Sequence, residues 1–240
     1  MKISIQDKKM SCLKKIQYIF IAGFFIIFCT AACQTSKPVK VKNTMIEGTS
    51  LYEVANPNVR VAYIDPYVDY DQYKKIMVTP LNFDTMEIVQ PSSARFNTKF
   101  TLNEEEREKL NEIYQKRMLE YLEKKGDFEV VQNPGPDVLT LSVYVKQIKP
   151  NAPKDDISSR GVVQSTIYTK GAGSMTIAAN VFDSTSGKEL ARIADSKDSS
   201  DMWGVNNRVT NLGDISIAFA DWARKFNTAL KNLHDYEIEK

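Results

Sequence analysis

The chain has 240 residues, with 32 Lys and Arg against 30 Asp and Glu, and a formal net charge of +2. Residues 1–32 hold five of the lysines and one of the acids, which leaves 27 of the 32 bases and 29 of the 30 acids for the rest. This balance provides no excess of positive charge for a phosphate backbone, and it argues against nucleic acid as a partner.

The cysteine and histidine content excludes several classes of site. The chain contains three cysteines, Cys12, Cys29 and Cys33, and one histidine, His234. Two of the cysteines lie in residues 1–32, so we expect neither a disulfide nor a thiolate metal site in the remainder. A single histidine excludes multi-histidine metal sites, and a Ser-His-acid triad would depend on a residue close to the end of the chain. We therefore predict no catalytic residue, no metal site and no cofactor.

The first 32 residues have the pattern of an export signal. Lysines dominate residues 2–15, and the twelve residues 18–29 carry no charge. This is a basic region followed by an apolar region. The apolar run over residues 18–29 is too short for a membrane span, since a transmembrane helix needs roughly 20 apolar residues. The pattern predicts a signal peptide over residues 1–32 that is cleaved from the mature protein.

The end of this signal predicts a lipid anchor. The small residues Thr30, Ala31 and Ala32 precede Cys33, and this arrangement resembles the lipobox of bacterial lipoproteins. By that resemblance the chain is cut before Cys33, and this cysteine is acylated. Ordinary secretion after Ala32 is the alternative, because its cleavage sites use the same small residues. Since Gln34 rather than Asp follows the cysteine, we expect the periplasmic leaflet of the outer membrane if the source is Gram-negative.

The mature chain divides into a tether and one domain. Residues 33–58 are mostly polar or small, and we predict that they form a flexible, lipidated tether. Residues 59–240 are enough for one domain, since about 100–200 residues per domain is usual. We therefore predict a single α+β periplasmic domain over 59–240.

The first predicted elements of this domain are a strand and a helix. The apolar run Ile76-Met77-Val78 predicts a buried strand. Thr101 and Glu104 have the spacing of a capping box, which predicts the start of a helix, and Gly126 predicts its end. The apolar face of this helix consists of residues at helical spacing: Leu110, Ile113, Tyr114, Met118, Tyr121 and Leu122.

The second half of the chain is dominated by strand patterns. A short strand is predicted over 128–131, and strict alternation of apolar and polar residues predicts strands over 139–145 and 175–181. The turn residues 183–187 then predict a hairpin with a strand over 189–194. A last helix is predicted from Asp214, with Trp222 on its apolar stripe. The long segments 150–170 and 196–213 have no predicted element, and segments of this kind are usually functional or disordered.

These elements define the expected architecture. Their order is β-α-β-β-β-β-α, which predicts an α+β fold with a small mixed β-sheet and two helices packed on one face. The first strand-helix-strand unit is expected to be a right-handed parallel crossover.

Several of these segments together resemble a known family. They are Tyr63-Ile64-Asp65-Pro66, the strand over 76–78, residues 128–139, the segment Ser174 to Ala191 and the helix of Trp222. They resemble the bacterial lipoproteins grouped as domain of unknown function 3313, over roughly Asn58 to Leu233. The resemblance implies an envelope lipoprotein and no assigned activity.

One candidate contact residue emerges from the sequence. Trp203 lies in a polar segment, and an exposed tryptophan is a frequent interface anchor. The alternative is that Trp203 folds onto the sheet, as large aromatic residues commonly do. We interpret the chain as a non-catalytic binding domain, held at the membrane by its N-terminal lipid. Its further partner would be another envelope protein or peptidoglycan.

The competing interpretation is an envelope glycan or peptide hydrolase that uses paired carboxylates. Its candidates are Asp155 with Asp156, and Asp198 with Asp201. Solvated turn residues are the simpler account of both pairs, because Asp and Ser populate turns. Two buried acids that face each other in a pocket would favour the enzyme, whereas an exposed aromatic on a shallow surface would favour binding.

Overall fold

The sequence folds as an α+β structure, as its order of patterns predicts. The structure is a computed structural model that describes residues 39–90, 100–151, 168–170, 172–199, 203–205, 208–233 and 236–238. Residues 37–240 belong to one compact unit. Within the described residues, this unit consists of a mixed sheet, a separate two-stranded ribbon and two long helices.

The main sheet has ten strands among the described residues. The strands of the chain are β1 Val39–Met45, β2 Tyr52–Val54, β3 Val61–Ile64, β4 Lys75–Val78, β5 Glu87–Ile88, β6 Glu129–Val130, β7 Val138–Pro150, β8 Tyr168–Lys170, β9 Gly173–Asp183, β10 Glu189–Asp198, β11 Trp203–Val205 and β12 Tyr236–Ile238. The order across the sheet is β12-β1-β2-β3-β10-β9-β7-β4-β6, with β5 also paired to β7. β8 and β11 form the ribbon.

The sheet combines parallel and antiparallel pairs, as predicted. β4 lies parallel to both β6 and β7, which is the parallel pairing that the first strand-helix-strand unit predicts. β9 and β10 form the predicted antiparallel hairpin. The alternation read from the sequence is also confirmed, because β7 and β9 bury every second side chain.

The two helices are α1 Glu104–Leu119, which continues into a π-helical turn over Glu120–Lys124, and α2 Arg208–Asn232. The N-cap of α1 is Asn103 rather than Thr101. Its side chain accepts from the Glu106 N–H at 2.9 Å, and the Glu106 carboxylate accepts from the Asn103 N–H at 2.9 Å. Both candidate pairs have capping-box spacing, but asparagine is at least as good a cap as threonine. The predicted start was therefore two residues early.

Three segments that the sequence predicts to be irregular contain regular structure. β1 and β2 pair within 39–54, so the chain joins the sheet well inside the predicted tether over 33–58. The segment 196–213 includes the end of β10, all of β11 and the start of α2. The segment 150–170 ends in β8. β1 and β2 lack a long apolar pattern, because Val41 and Val54 are the buried side chains of these two strands.

The helices and the sheet share one core. Tyr114 of α1 contacts Phe219 of α2 edge to face, with ring centroids 5.6 Å apart, and Phe219 lies 5.7 Å from Trp222. All three side chains are fully buried. Aromatic pairs of this geometry contribute about 0.5–1.5 kcal/mol beyond the area they bury. This stack therefore links the two helices where they cover the sheet.

Two buried tyrosines make a test of this core. The Tyr114 hydroxyl has no hydrogen-bond partner among the described residues, whereas the Tyr73 hydroxyl donates to Asp183 Oδ2 at 2.8 Å. Tyr114→Phe is expected to raise the free energy of unfolding by up to about 1 kcal/mol, since an unpaired buried hydroxyl costs free energy. Tyr73→Phe is expected to lower it by about 1–2 kcal/mol. Urea unfolding of both variants measures the difference, and equal losses would contradict the assignment.

Candidate functional site

The structure describes only some of the residues that the sequence singles out. Cys33, the signal peptide over 1–32, Asp155 with Asp156, Asp201 and His234 lie outside the described residues. Their roles stay predictions. Asp198 is exposed at the end of β10, opposite Ser174. For Trp203 the structure gives the backbone, which pairs with Lys170 in the ribbon.

A buried carboxylate lies just after β3. Asp65 is only 1% exposed. Its Oδ2 accepts from the Ser50 hydroxyl at 2.5 Å and from Lys188 Nζ at 2.7 Å. Its Oδ1 accepts from the Tyr67 N–H at 3.0 Å. Burial alone would raise the pKa of Asp65, but these three donors outweigh it and lower the pKa below its usual value.

The backbone around Asp65 is fixed to the start of β10. The Asp65 N–H donates to the Leu190 carbonyl at 2.8 Å. The Tyr70 hydroxyl donates to the Leu190 carbonyl at 2.9 Å and lies 3.1 Å from the Asp65 carbonyl. Ser50, Tyr70 and Lys188 come from separate parts of the chain. Asp65 therefore joins the β1–β2 turn, the end of β3 and the β9–β10 hairpin.

A second buried carboxylate joins the sheet to α2. Asp195 is 6% exposed. It accepts from the Trp222 Nε1–H at 3.0 Å, from Lys225 Nζ at 2.7 Å and from the Arg60 N–H at 3.0 Å. Burial would lower the pKa of Lys225, but the adjacent Asp195 carboxylate raises it. Lys225 therefore stays charged beside Asp195.

The two buried acids do not form a catalytic pair. The Asp65 N–H bonds to Leu190, and Asp195 lies five residues further along β10. At about 3.3 Å per residue, this separation is roughly 16 Å. Carboxylate pairs in glycoside hydrolases lie about 5–10 Å apart. Each acid also has its own lysine, so neither the spacing nor the charge fits paired general acid and base chemistry.

The described part of the chain contains neither a candidate metal-binding group nor a candidate membrane-spanning helix. No group of three or more His, Cys, Asp or Glu residues there is arranged to hold a metal ion. Within the same residues, no helix has both the length and the apolar character that a membrane crossing requires.

An exposed aromatic surface lies next to Asp65. Tyr67 is 70% exposed and Met45 is 50% exposed. Tyr52 lies between them, because it pairs with Met45 across β1 and β2 and its ring meets that of Tyr67 edge to face, with centroids 5.9 Å apart. The neighbouring Tyr67 hydroxyl raises the pKa of Tyr52. We call Met45, Tyr52 and Tyr67 the tyrosine patch.

The tyrosine patch has the chemistry of a contact surface. Tyrosine and methionine are enriched at protein interfaces, and tyrosine offers a rigid apolar ring with a polar end. The Asp65 N–H and carboxylate bonds fix the backbone that carries the exposed Tyr67 ring. This patch is not predicted from the sequence, because Tyr52 lies in the predicted tether and no apolar periodicity singles out Tyr67.

The described residues form an α+β domain, and its sequence matches a known family. Residues 44–226 match the family described as "Protein of unknown function (DUF3313)". The chain belongs to this family, which confirms the resemblance seen in the sequence. The matched range includes Asp65, Trp222 and the tyrosine patch, and it begins after Cys33.

Solved structures similar to the chain come from several bacteria. The PelC dodecamer from Paraburkholderia phytofirmans has 9% identity, covers 64% of this chain and 89% of its own, and has a TM-score of 0.34. A putative lipoprotein from Caulobacter crescentus has 12% identity, coverage of 67% and 90%, and a TM-score of 0.31. A putative neuraminyllactose-binding hemagglutinin homolog from Helicobacter pylori has 12% identity, coverage of 80% and 94%, and a TM-score of 0.36. No match was found among curated proteins.

The buried carboxylate of Asp65 gives a pH-dependent prediction. Because folding lowers its pKa, the ionised group stabilises the fold above its unfolded pKa of about 3.9, and this stabilisation is lost as pH falls through the folded pKa. Asp65→Asn is expected to lower the free energy of unfolding by about 2–3 kcal/mol at pH 7. The difference in free energy of unfolding from wild type should become smaller below about pH 4. Denaturant unfolding from pH 7 to pH 2 measures it.

The matched control for this experiment is Asp198→Asn, which changes an exposed acid on β10. We expect its free energy of unfolding to differ from that of wild type by no more than about 0.5 kcal/mol at all pH values. If Asp65→Asn lowers the free energy of unfolding equally at pH 7 and pH 2, the charge of Asp65 does not stabilise the fold and the prediction is wrong.

Proposed function

We propose that the protein is a lipid-anchored lipoprotein of the bacterial cell envelope, with a non-catalytic domain that faces the periplasm and binds another envelope component. The observation that carries this proposal is the position of the tyrosine patch. It lies at the end of the sheet opposite the point where β1 begins. The chain therefore enters the sheet at the end opposite the proposed contact surface.

The direction of β1 gives this orientation. Val39 begins β1 six residues after Cys33, and six residues span at most about 20 Å. β1 then runs toward the tyrosine patch and ends at Met45. β2 starts at Tyr52 opposite Met45, and β3 ends next to Tyr67. In the proposed arrangement, the tyrosine patch lies on the side of the domain away from the membrane.

The expected partner is an envelope protein, with peptidoglycan as the second candidate. Both fit a shallow aromatic surface, since tyrosine rings pack against apolar side chains and against sugar faces. The Lys188 ammonium beside the tyrosine patch is half exposed but paired with Asp65. The two tyrosines and Met45 therefore provide most of the contact surface. The hydrolase alternative has no comparable support among the described residues, because Asp198 is exposed and the two buried acids, Asp65 and Asp195, each pair with a lysine.

Membrane attachment is tested at the predicted acylation site. In a Gram-negative host, wild-type protein is expected in the outer-membrane fraction, because several acyl chains on one residue bind stably whereas one binds only marginally. Cys33→Ala is expected to be absent from that fraction. Intact mass spectrometry of the wild type should show acyl chains on an N-terminal Cys33. Cys29→Ala is the control, and it should behave as wild type. Outer-membrane localisation of the Cys33→Ala variant would contradict the proposal.

Partner binding is tested at the tyrosine patch. A photo-crosslinking phenylalanine analogue replaces Tyr67 in intact cells, and the control places the same analogue at Ile217, which is similarly exposed on α2. We expect a specific crosslinked product from position 67 only, whose yield falls at least fivefold when Tyr52→Ala removes the supporting ring. Binding of the purified protein to isolated peptidoglycan distinguishes the two partners. Equal products from positions 67 and 217 would contradict the assignment of the patch.

A further inference from the structure

The ribbon of β8 and β11 continues the hairpin of β9 and β10 beyond the main sheet. Asp198 pairs with Ser174 at the last step of the hairpin, and Trp203 pairs with Lys170 in the ribbon. Gly173 lies at the break between the two, with φ of 126°, a conformation that L side chains rarely adopt. The ribbon therefore leaves the sheet at the end where β9 begins and β10 finishes.

This is the same end at which β1 begins. β1 is antiparallel to β2, β2 to β3, and β3 to β10, so β1 enters the sheet where β10 leaves it. The pairings Val41 with Val54 and Tyr52 with Ile64 align Val39 with Arg60. The Arg60 N–H in turn bonds to Asp195. Val39 and Asp195 therefore lie at about the same level of the sheet.

The two chain segments that leave this level have similar reach. Cys33 is six residues before Val39 and extends at most about 20 Å from it. Trp203 is eight residues after Asp195 and lies at most roughly 28 Å from it. A surface that holds Cys33 therefore lies within reach of the ribbon.

The residue types of the ribbon match a lipid surface. β8 contains Tyr168 and Lys170, and β11 contains Trp203 and Val205. Tryptophan and tyrosine are enriched where a membrane meets water, and lysine interacts there with anionic headgroups. Lys149, near the end of β7, and Lys40 in β1 are exposed at the same end of the sheet.

We propose that the β8–β11 ribbon docks on the lipid surface to which Cys33 is anchored, with Trp203 at the level of the headgroups. The inference rests on the proposed acylation of Cys33. The acyl chains and the ribbon would contact the membrane at two separate points. Two contacts fix the orientation of the sheet relative to the bilayer. That orientation presents the tyrosine patch to the periplasm.

Tryptophan fluorescence tests this contact directly, because the chain has only two tryptophans. Trp222 is fully buried and bonded to Asp195, so its emission should not respond to lipid. The acylated protein is reconstituted in vesicles of phosphatidylethanolamine and phosphatidylglycerol, with or without brominated acyl chains. The emission of the Trp203→Phe variant is subtracted as the Trp222 background. We expect brominated lipid to reduce the remaining Trp203 emission at least twofold.

The orientation control moves the reporter to the other end of the sheet. In the Trp203→Phe background, Tyr67→Trp places a tryptophan in the exposed tyrosine patch. Its emission is expected to change by less than a tenth with brominated lipid. Equal quenching at positions 67 and 203, or no quenching at 203, would overturn the membrane contact.

The same sample separates this inference from the one on which it rests. Its intact mass reports whether Cys33 is acylated. Acylated protein with unquenched Trp203 overturns the ribbon contact alone and leaves the lipid anchor in place. Protein without acyl chains overturns the proposed anchor, and the ribbon contact with it.

Discussion

The ion pair between Asp195 and Lys225 holds α2 on the sheet, and the rest of the fold depends on it. Asp195 also accepts from the Trp222 indole, which continues the aromatic stack through Phe219 to Tyr114 of α1. Removing one partner of a buried pair leaves an uncompensated charge, at a cost of about 3–5 kcal/mol. One carboxylate thus positions both helices and, through the Arg60 N–H, the start of β3.

Regular patterns in the sequence predict the centre of the fold well. The alternating runs of β7 and β9 and the apolar face of α1 follow directly from side-chain periodicity. The edge strands β1 and β2 do not, because their few buried residues are surrounded by polar ones. The roles of the two buried acids cannot be predicted from the sequence for another reason. Asp65 and Asp195 are neutralised by Lys188 and Lys225, which are distant in sequence and adjacent only in the folded chain.

The residues that carry the family resemblance have structural roles. Asp65 closes the end of β3, and Trp222 lies in the core with its indole bonded to Asp195. The match to a family of unknown function therefore defines an architecture rather than a reaction. The tyrosine patch is built on that architecture, since Asp65 fixes the backbone that presents Tyr67.

The location of β1 has a mechanical consequence. β1 lies between β2 and β12, and hydrogen bonds connect it to both. A pull on the chain before Val39 acts along the strand, so it loads these bonds together in shear rather than opening them one after another. A strand loaded in shear resists being pulled out of its sheet, because its hydrogen bonds must break together. Tension on the chain before Val39 is thus distributed over the hydrogen bonds of the sheet before its edge unfolds.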